Sequence, residues 1–168
     1  MNNNKYLKYL LPVAYLIPLL FVQVVFVPFI SIETIIPDLI LILVVHTAVK
    51  HGQIPGTLFG FGAGLIFDLV TGNMLASSAL AKTLAGFTAG YFSTNRIDIN
   101  LGSYRFIFII VLAAFINSST FALVTNFDLN NNFLKLIFEQ GITPALYTGF
   151  VSAIWVFTIP KKQGDWLK

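Results

Sequence analysis

The sequence predicts an all-α membrane protein, a polytopic bundle of about six transmembrane helices with its amino and carboxyl ends cytoplasmic. Of its 168 residues, 57% are hydrophobic and only 10% charged, where a soluble domain carries roughly a quarter charged residues. The mean hydropathy is +0.82, and ten basic and seven acidic residues leave too little polar surface to clothe a compact body of this size in water. Six apolar runs fill the chain, most of them near the roughly 20 residues that cross a bilayer. The expectation is therefore a single integral membrane domain over 1–168 with no room for a soluble catalytic domain.

The first run, 9–27, follows Lys5 and Lys8 and stops at Pro28. It ends in Val24-Val25-Phe26-Val27 rather than the small residues of a signal-peptidase site, so it reads as a retained helix. The second, 36–49, opens with Pro37 and Asp38. This is a good helix start, since proline lacks the N–H that a first turn cannot use and a carboxylate favours the positive end of the helix dipole. It is short: at 1.5 Å per residue it covers about 20 Å of a ~30 Å core, so the sequence leaves local thinning or a re-entrant path open. The third run, 52–70, and the fourth, 74–92, flank Thr71-Gly72-Asn73 and form a helical hairpin. A polar stretch, 93–104, precedes the fifth run at 105–125, and the Asn-rich loop 126–132 leads to the sixth, 133–159.

Orientation follows from the cations, because Lys and Arg in short loops stay on the cytoplasmic side. With the amino terminus inside, Lys5, Lys8, Lys50, Arg96, Arg105, Lys161, Lys162 and Lys168 all fall inside, and Lys135 alone falls near the outer side. If the short second run failed to cross, Arg96 and Arg105 would move to the outside, so the asymmetry argues for six spans. No lipidation or presequence signal is found, and a bacterial inner membrane is the expected address. Tyr6, Tyr9, Tyr91, Phe92, Trp155 and Trp166 cluster near span ends and read as interfacial anchors.

Several chemistries find no footing. With no cysteine there is no disulfide, thiolate metal site or cysteine nucleophile. The net charge of +3 is small and scattered, so no nucleic-acid partner is expected. His46 and His51 stand five apart, about 140° around a helix, and do not make the i, i+4 pair of a metal site. Ser77, Ser78, Ser118, Ser119 and Thr120 have no base at a recognisable spacing and read as hydroxyls bonded to their own helix backbone. No catalytic, cofactor or metal residue is assigned.

What the helices do carry is small residues and a few charges. Gly52, Gly56, Gly60 and Gly64 recur every four residues in the third span, as Ser78, Lys82, Gly86 and Gly90 do in the fourth and Gly141, Ala145, Gly149 and Ala153 in the sixth. Such stripes let another backbone approach closely, either within the bundle or on a partner helix. Asn117 beside Ser118 and Ser119 is a polar-glue signal. Lys82 is the most unusual residue, roughly 12 Å below the outer surface, where a charge costs from ~3 kcal/mol upward unless paired. Asp68, at the outer end of the neighbouring span, is the expected partner, with Glu139 competing for it.

Pro37-Asp38-Leu39 opening a short helix, Gly60-Phe61-Gly62-Ala63-Gly64-Leu65-Ile66-Phe67-Asp68, and Leu75-Ala76-Ser77-Ser78-Ala79-Leu80-Ala81-Lys82-Thr83-Leu84-Ala85-Gly86-Phe87 together resemble MreD, the rod shape-determining membrane family of bacteria. The likeness covers about 37–90, and one departure is Ala76, where the family pattern has glycine after the leucine. The resemblance implies a non-enzymatic scaffold of the cell-elongation machinery, supporting lateral peptidoglycan synthesis. The implied partners are a bitopic MreC-like protein, a RodA-type glycosyltransferase, a class B penicillin-binding transpeptidase and, indirectly, the MreB filament, all within membrane lipid. The family is also similar to the substrate-binding subunits of energy-coupling-factor transporters, and the rival expectation is a small-solute-binding subunit. That would need polar side chains converging from the outer loops, which offer mainly Glu33, Thr34, Asn73, Asn126, Asp128 and 130–132.

Overall fold

The computed structural model describes residues 3–31, 35–93, 104–125 and 137–158, with side chains over 11–31, 35–93, 104–125 and 140–154. Among these residues all regular structure is helical. The helices are α1 (Asn3–Val25), α2 (Leu39–His51), α3 (Gln53–Thr71), α4 (Ser77–Tyr91), α5 (Tyr104–Thr125) and α6 (Thr143–Thr158). A 3₁₀ turn, Val27–Ile30, follows α1, and a π-helical turn, Ile137–Ile142, leads into α6. The Asn-rich loop, Glu33, Thr34, Arg96, Asp128, Lys135 and the basic tail fall outside the described residues, as do the side chains of Lys5, Tyr6, Lys8, Tyr9, Trp155 and Trp166.

Two helices, α3 and α5, are long and apolar enough to cross a membrane, while α2 and the stretch Leu11–Val25 are shorter apolar helices. Large apolar side chains line the outer surface, among them Ile17, Ile54, Leu58, Phe108 and Phe150. An exterior of this kind is stable against hydrocarbon and not against water. Proline at positions 12 and 18 lies inside α1, a placement that membrane helices tolerate.

The short helix α2 is the hub, with eight of its 13 residues buried. One side of it, Ile40 and Val44, packs with Leu16 and Leu20 of α1 and Ala63 of α3. The other, Leu41, Ile42, Val45, Ala48 and Val49, packs with Ala85 and Ala89 of α4, Phe106, Ile109, Ile110, Ala113 and Ala114 of α5, and Ala145 of α6. Helices α3 and α4 make the most extensive pairing, and α4, α5 and α6 continue from them as neighbours.

The glycine stripes make that pairing possible. A methyl group on Gly60 would lie 2.3 Å from the Lys82 carbonyl oxygen, and one on Gly86 would lie 2.4 Å from the Gly56 carbonyl oxygen. Gly64 and Gly90 similarly abut the backbones of Ala79 and Gln53. Of the six glycines singled out in the sequence, Gly60, Gly64, Gly86 and Gly90 therefore face across α3 and α4, and Gly56 abuts Ala48 of α2 as well as Gly86, so in this arrangement these five are not a surface for a partner helix. The sixth, Gly52, has φ +96° and links α2 to α3, and a methyl group there would meet no heavy atom within 4 Å.

The hairpin turn between α3 and α4 contains the one non-glycine residue with positive φ among those described, Ala76 at +73°. This is the position at which the sequence departs from the family pattern, and a left-handed backbone accounts for glycine there.

Two outcomes are expected in thermal or denaturant unfolding of the detergent-solubilised protein. Ala76→Gly should stabilise by about 0.5–1 kcal/mol, the relief of a left-handed Cβ less the added freedom of the unfolded chain. Gly60→Ala should destabilise by about 1–3 kcal/mol through overpacking, while Gly62→Ala, which meets nothing within 4 Å, should not destabilise at all.

Candidate functional site

The candidate site is built on the start of α2. Pro37 contributes no N–H, and Asp38 is the N-cap, its Oδ1 accepting from the Leu41 N–H at 2.9 Å. The remaining backbone groups of the first turn would be orphaned in an apolar medium, where each costs several kcal/mol. Side chains from other helices satisfy them. Gln23 of α1 donates through Nε2 to the Pro37 carbonyl at 2.9 Å and accepts through Oε1 from the Leu39 N–H at 2.8 Å. The Asp38 N–H donates to Thr148 Oγ1 of α6 at 3.2 Å. Tyr147 on the same helix donates from its hydroxyl to the Ile30 carbonyl at 2.6 Å, fixing the segment that leads to α2.

The second carboxylate oxygen of Asp38 carries the charge chemistry. It forms an ion pair with the Lys82 ammonium of α4 and accepts a long bond, 3.4 Å, from Asn117 Nδ2 of α5. The Lys82 ammonium also lies 5.2 Å from the centroid of the Phe67 ring of α3, a cation–π distance. The lysine side chain is 3% exposed and that of Asp38 is 20% exposed. All six helices thus contribute a group to one polar knot around Pro37-Asp38-Leu39.

The expected pairing of Lys82 with Asp68 is corrected by this geometry. Asp68 is buried, but its carboxylate accepts from the backbone N–H groups of Ser78, at 3.0 and 3.2 Å to its two oxygens, and of Ala79 at 3.2 Å. Ala76 stands at the N-cap of α4 and has no side chain able to cap it. Asp68 supplies the missing cap from the neighbouring helix, where the dipole of α4 also favours a negative charge. Glu139 lies on the π-helical turn, and its side chain falls outside the described residues.

The sequence missed Gln23 and Thr148 as members of the knot, and it took Asp38 as a helix start only. A lone glutamine inside an apolar run was a legible signal for Gln23, since an amide in hydrocarbon needs partners. Thr148 had none that distinguishes it from other spanning threonines. Several other hydroxyls bond to their own helices, Thr47 to the Leu43 carbonyl, Thr83 to that of Ala79, and Ser152 to that of Gly149, whereas Ser77 bonds to the Met74 carbonyl ahead of α4 and Ser119 Oγ is buried without a partner among the described residues. His51 Nδ1 lies 3.2 Å from the Thr47 carbonyl oxygen. Among the described residues no three His, Asp or Glu side chains gather as a metal-binding group. The chemistry of this arrangement is cohesion between helices.

A helical bundle with an apolar exterior, two helices of membrane length and a buried ion pair joining its helices defines the class: an integral membrane protein. The chain belongs to the MreD family, whose model, described as rod shape-determining protein MreD, matches residues 3–161. Membership places it in the cell-shape system of rod-forming cells. No individual curated protein and no solved structure matches the chain significantly.

The knot predicts an asymmetry. Asp38→Leu leaves a buried ammonium unpaired and should cost about 3–5 kcal/mol, whereas Lys82→Met leaves a carboxylate that still caps α2 and should cost less. A double-mutant cycle in unfolding experiments should show coupling between positions 38 and 82 well above that between 68 and 82.

Proposed function

We propose that this chain is a non-enzymatic scaffold of the bacterial cell-elongation complex, held in the inner membrane by six spans with both ends cytoplasmic. In this reading it supports cell shape and lateral peptidoglycan synthesis by binding the spanning helix of an MreC-like bitopic protein. A RodA-type glycosyltransferase and a class B penicillin-binding transpeptidase are further partners, with the MreB filament reached indirectly. The observation that carries it is the inward use of polar groups. Gln23, Asp38, Asp68, Lys82, Asn117 and Thr148 all bond within the bundle, while large apolar side chains such as Leu58, Phe87 and Phe150 face out. Such a body has contact surface to offer other helices and little to offer a soluble substrate.

The orientation rests on the basic end of α2, Lys50 and His51, lying at the cytoplasmic surface. Thirteen residues at 1.5 Å each then carry the chain about 20 Å into a ~30 Å core, which puts Asp38 and Lys82 about 10 Å below the outer edge.

The test is purification of the tagged protein from its native membrane in mild detergent, with mass spectrometry of what accompanies it. Recovery of MreC and wall-synthesis enzymes, weakened when exposed residues such as Leu58 or Phe87 become Ala, is the expected result. A transporter ATPase pair or a tightly held small molecule, with no wall-synthesis protein, overturns it in favour of a solute-binding subunit.

A further inference from the structure

The chain reaches α2 as irregular backbone: residues 35–38 are not helical, yet they lead to a charge well below the outer edge of the membrane. Lys82, the partner of Asp38, stands six residues past Ala76 of the hairpin turn, about 9 Å along α4. This agrees with the depth of about 10 Å that the length of α2 sets. So deep in a bilayer, irregular backbone and ionised side chains are either enclosed by protein or in contact with water. Enclosure is incomplete, since Ile36 is 46% exposed and the Asp38 side chain 20% exposed. Beside that carboxylate stands an acceptor with nothing to accept. Asn117 is 7% exposed and spends its Nδ2 on Asp38, while its Oδ1 is buried and has no hydrogen-bond partner among the described residues. With Nδ2 3.4 Å from Asp38 Oδ2, amide geometry holds Oδ1 within roughly 6 Å of the same oxygen.

We infer that Asp38 and Asn117 form a pair of acceptors, reached through water from the outer side, for one neutral group that carries two hydrogen-bond donors. The spacing suits such a group, because a single oxygen or nitrogen donating at about 2.8–3.0 Å to each side bridges acceptors of this separation. The charge of the site fixes the class. Lys82 already neutralises Asp38, so an added ammonium leaves a positive charge uncompensated in a medium of low dielectric, and an anion meets the carboxylate. Water and the NH₂ group of a side-chain carboxamide share the required chemistry. Water is the source available to the protein alone. A carboxamide has to come from a partner chain, and only that source rests on the scaffold reading above. The side from which the pair is reached rests on the orientation argued there.

The chain has no cysteine, so single thiols can be introduced without background. In the full-length protein in nanodiscs, Asn117→Cys is expected to react with a charged methanethiosulfonate at least about tenfold faster than Leu84→Cys, because a thiol reacts as its thiolate and a thiolate needs water. Leu84 is the more exposed of the two, at 42%, but it faces lipid on α4 near the level of Lys82, so a ranking opposite to exposure marks water. Ile36→Cys serves if Asn117→Cys fails to fold. Asn117→Leu is expected to lower the unfolding midpoint by about 2–4 °C, the loss of one satisfied buried acceptor in a chain of this size. The 3.4 Å bond to Asp38 is too long to account for that loss. Slower modification of Ile36→Cys in native membranes than in nanodiscs supports the pair with a partner's carboxamide as its donor, and equal rates support it with water. Modification from the cytoplasmic side alone, in inside-out vesicles, keeps the acceptor pair and refutes the orientation. Thiols at 117 and 36 that react as slowly as the one at 84, or an Asn117→Leu midpoint at or above that of the wild type, overturn the inference.

Discussion

A lysine ammonium inside a bundle surrounded by hydrocarbon is the constraint on which the rest of this structure depends. Removed from water, it needs an opposite charge held at contact, and that charge must itself be satisfied. Asp38 meets both needs because it is the N-cap of α2, with one oxygen on the helix's own N–H and the other on Lys82. Much of the architecture follows. The first turn of α2 has to begin deep within the body, so the helix is short, and the chain entering it has to be held there. Gln23 and Thr148 do so by bonding to the main chain on either side of Asp38.

The second buried carboxylate performs a different task with the same chemistry. Asp68 needs no cation, because two backbone N–H groups at the start of α4 and the helix dipole behind them serve as its positive partner. It closes the hairpin at one end, and the interlocking glycines close it along its length. Two acids inside the bundle thus divide the labour: one joins neighbours in sequence, and the other joins α2 to helices far away along the chain.

The helical class and the family were legible in the sequence because both rest on local patterns, namely apolar runs of membrane length and the strings ending at Asp68 and Thr83. The close approach of α3 and α4 was legible as a spacing, though the spacing alone left open whether the facing backbone was internal. The ion pair was misread because sequence proximity favoured Asp68, 14 residues from Lys82, over Asp38, 44 residues away. The information needed was present in the brevity of the second run. A helix that begins late begins deep, and a deep aspartate is the natural mate for a deep lysine. The partners of Gln23 and Thr148 are backbone atoms, which leave no mark in the sequence, so a lone glutamine in an apolar run signals that it needs partners but not where they lie.

The attachment of α1 has a mechanical meaning. It grips the bundle through one apolar stripe, Leu16 and Leu20, and through the Gln23 amide near its carboxyl end. The hairpin of α3 and α4, by contrast, is locked backbone to backbone and resists shear as a plate does. A lateral pull on the amino-terminal end of α1 therefore acts on a lever pivoted at Gln23. Because that pivot is bonded to the residues on either side of Asp38, the same pull is delivered to the one place where all six helices meet.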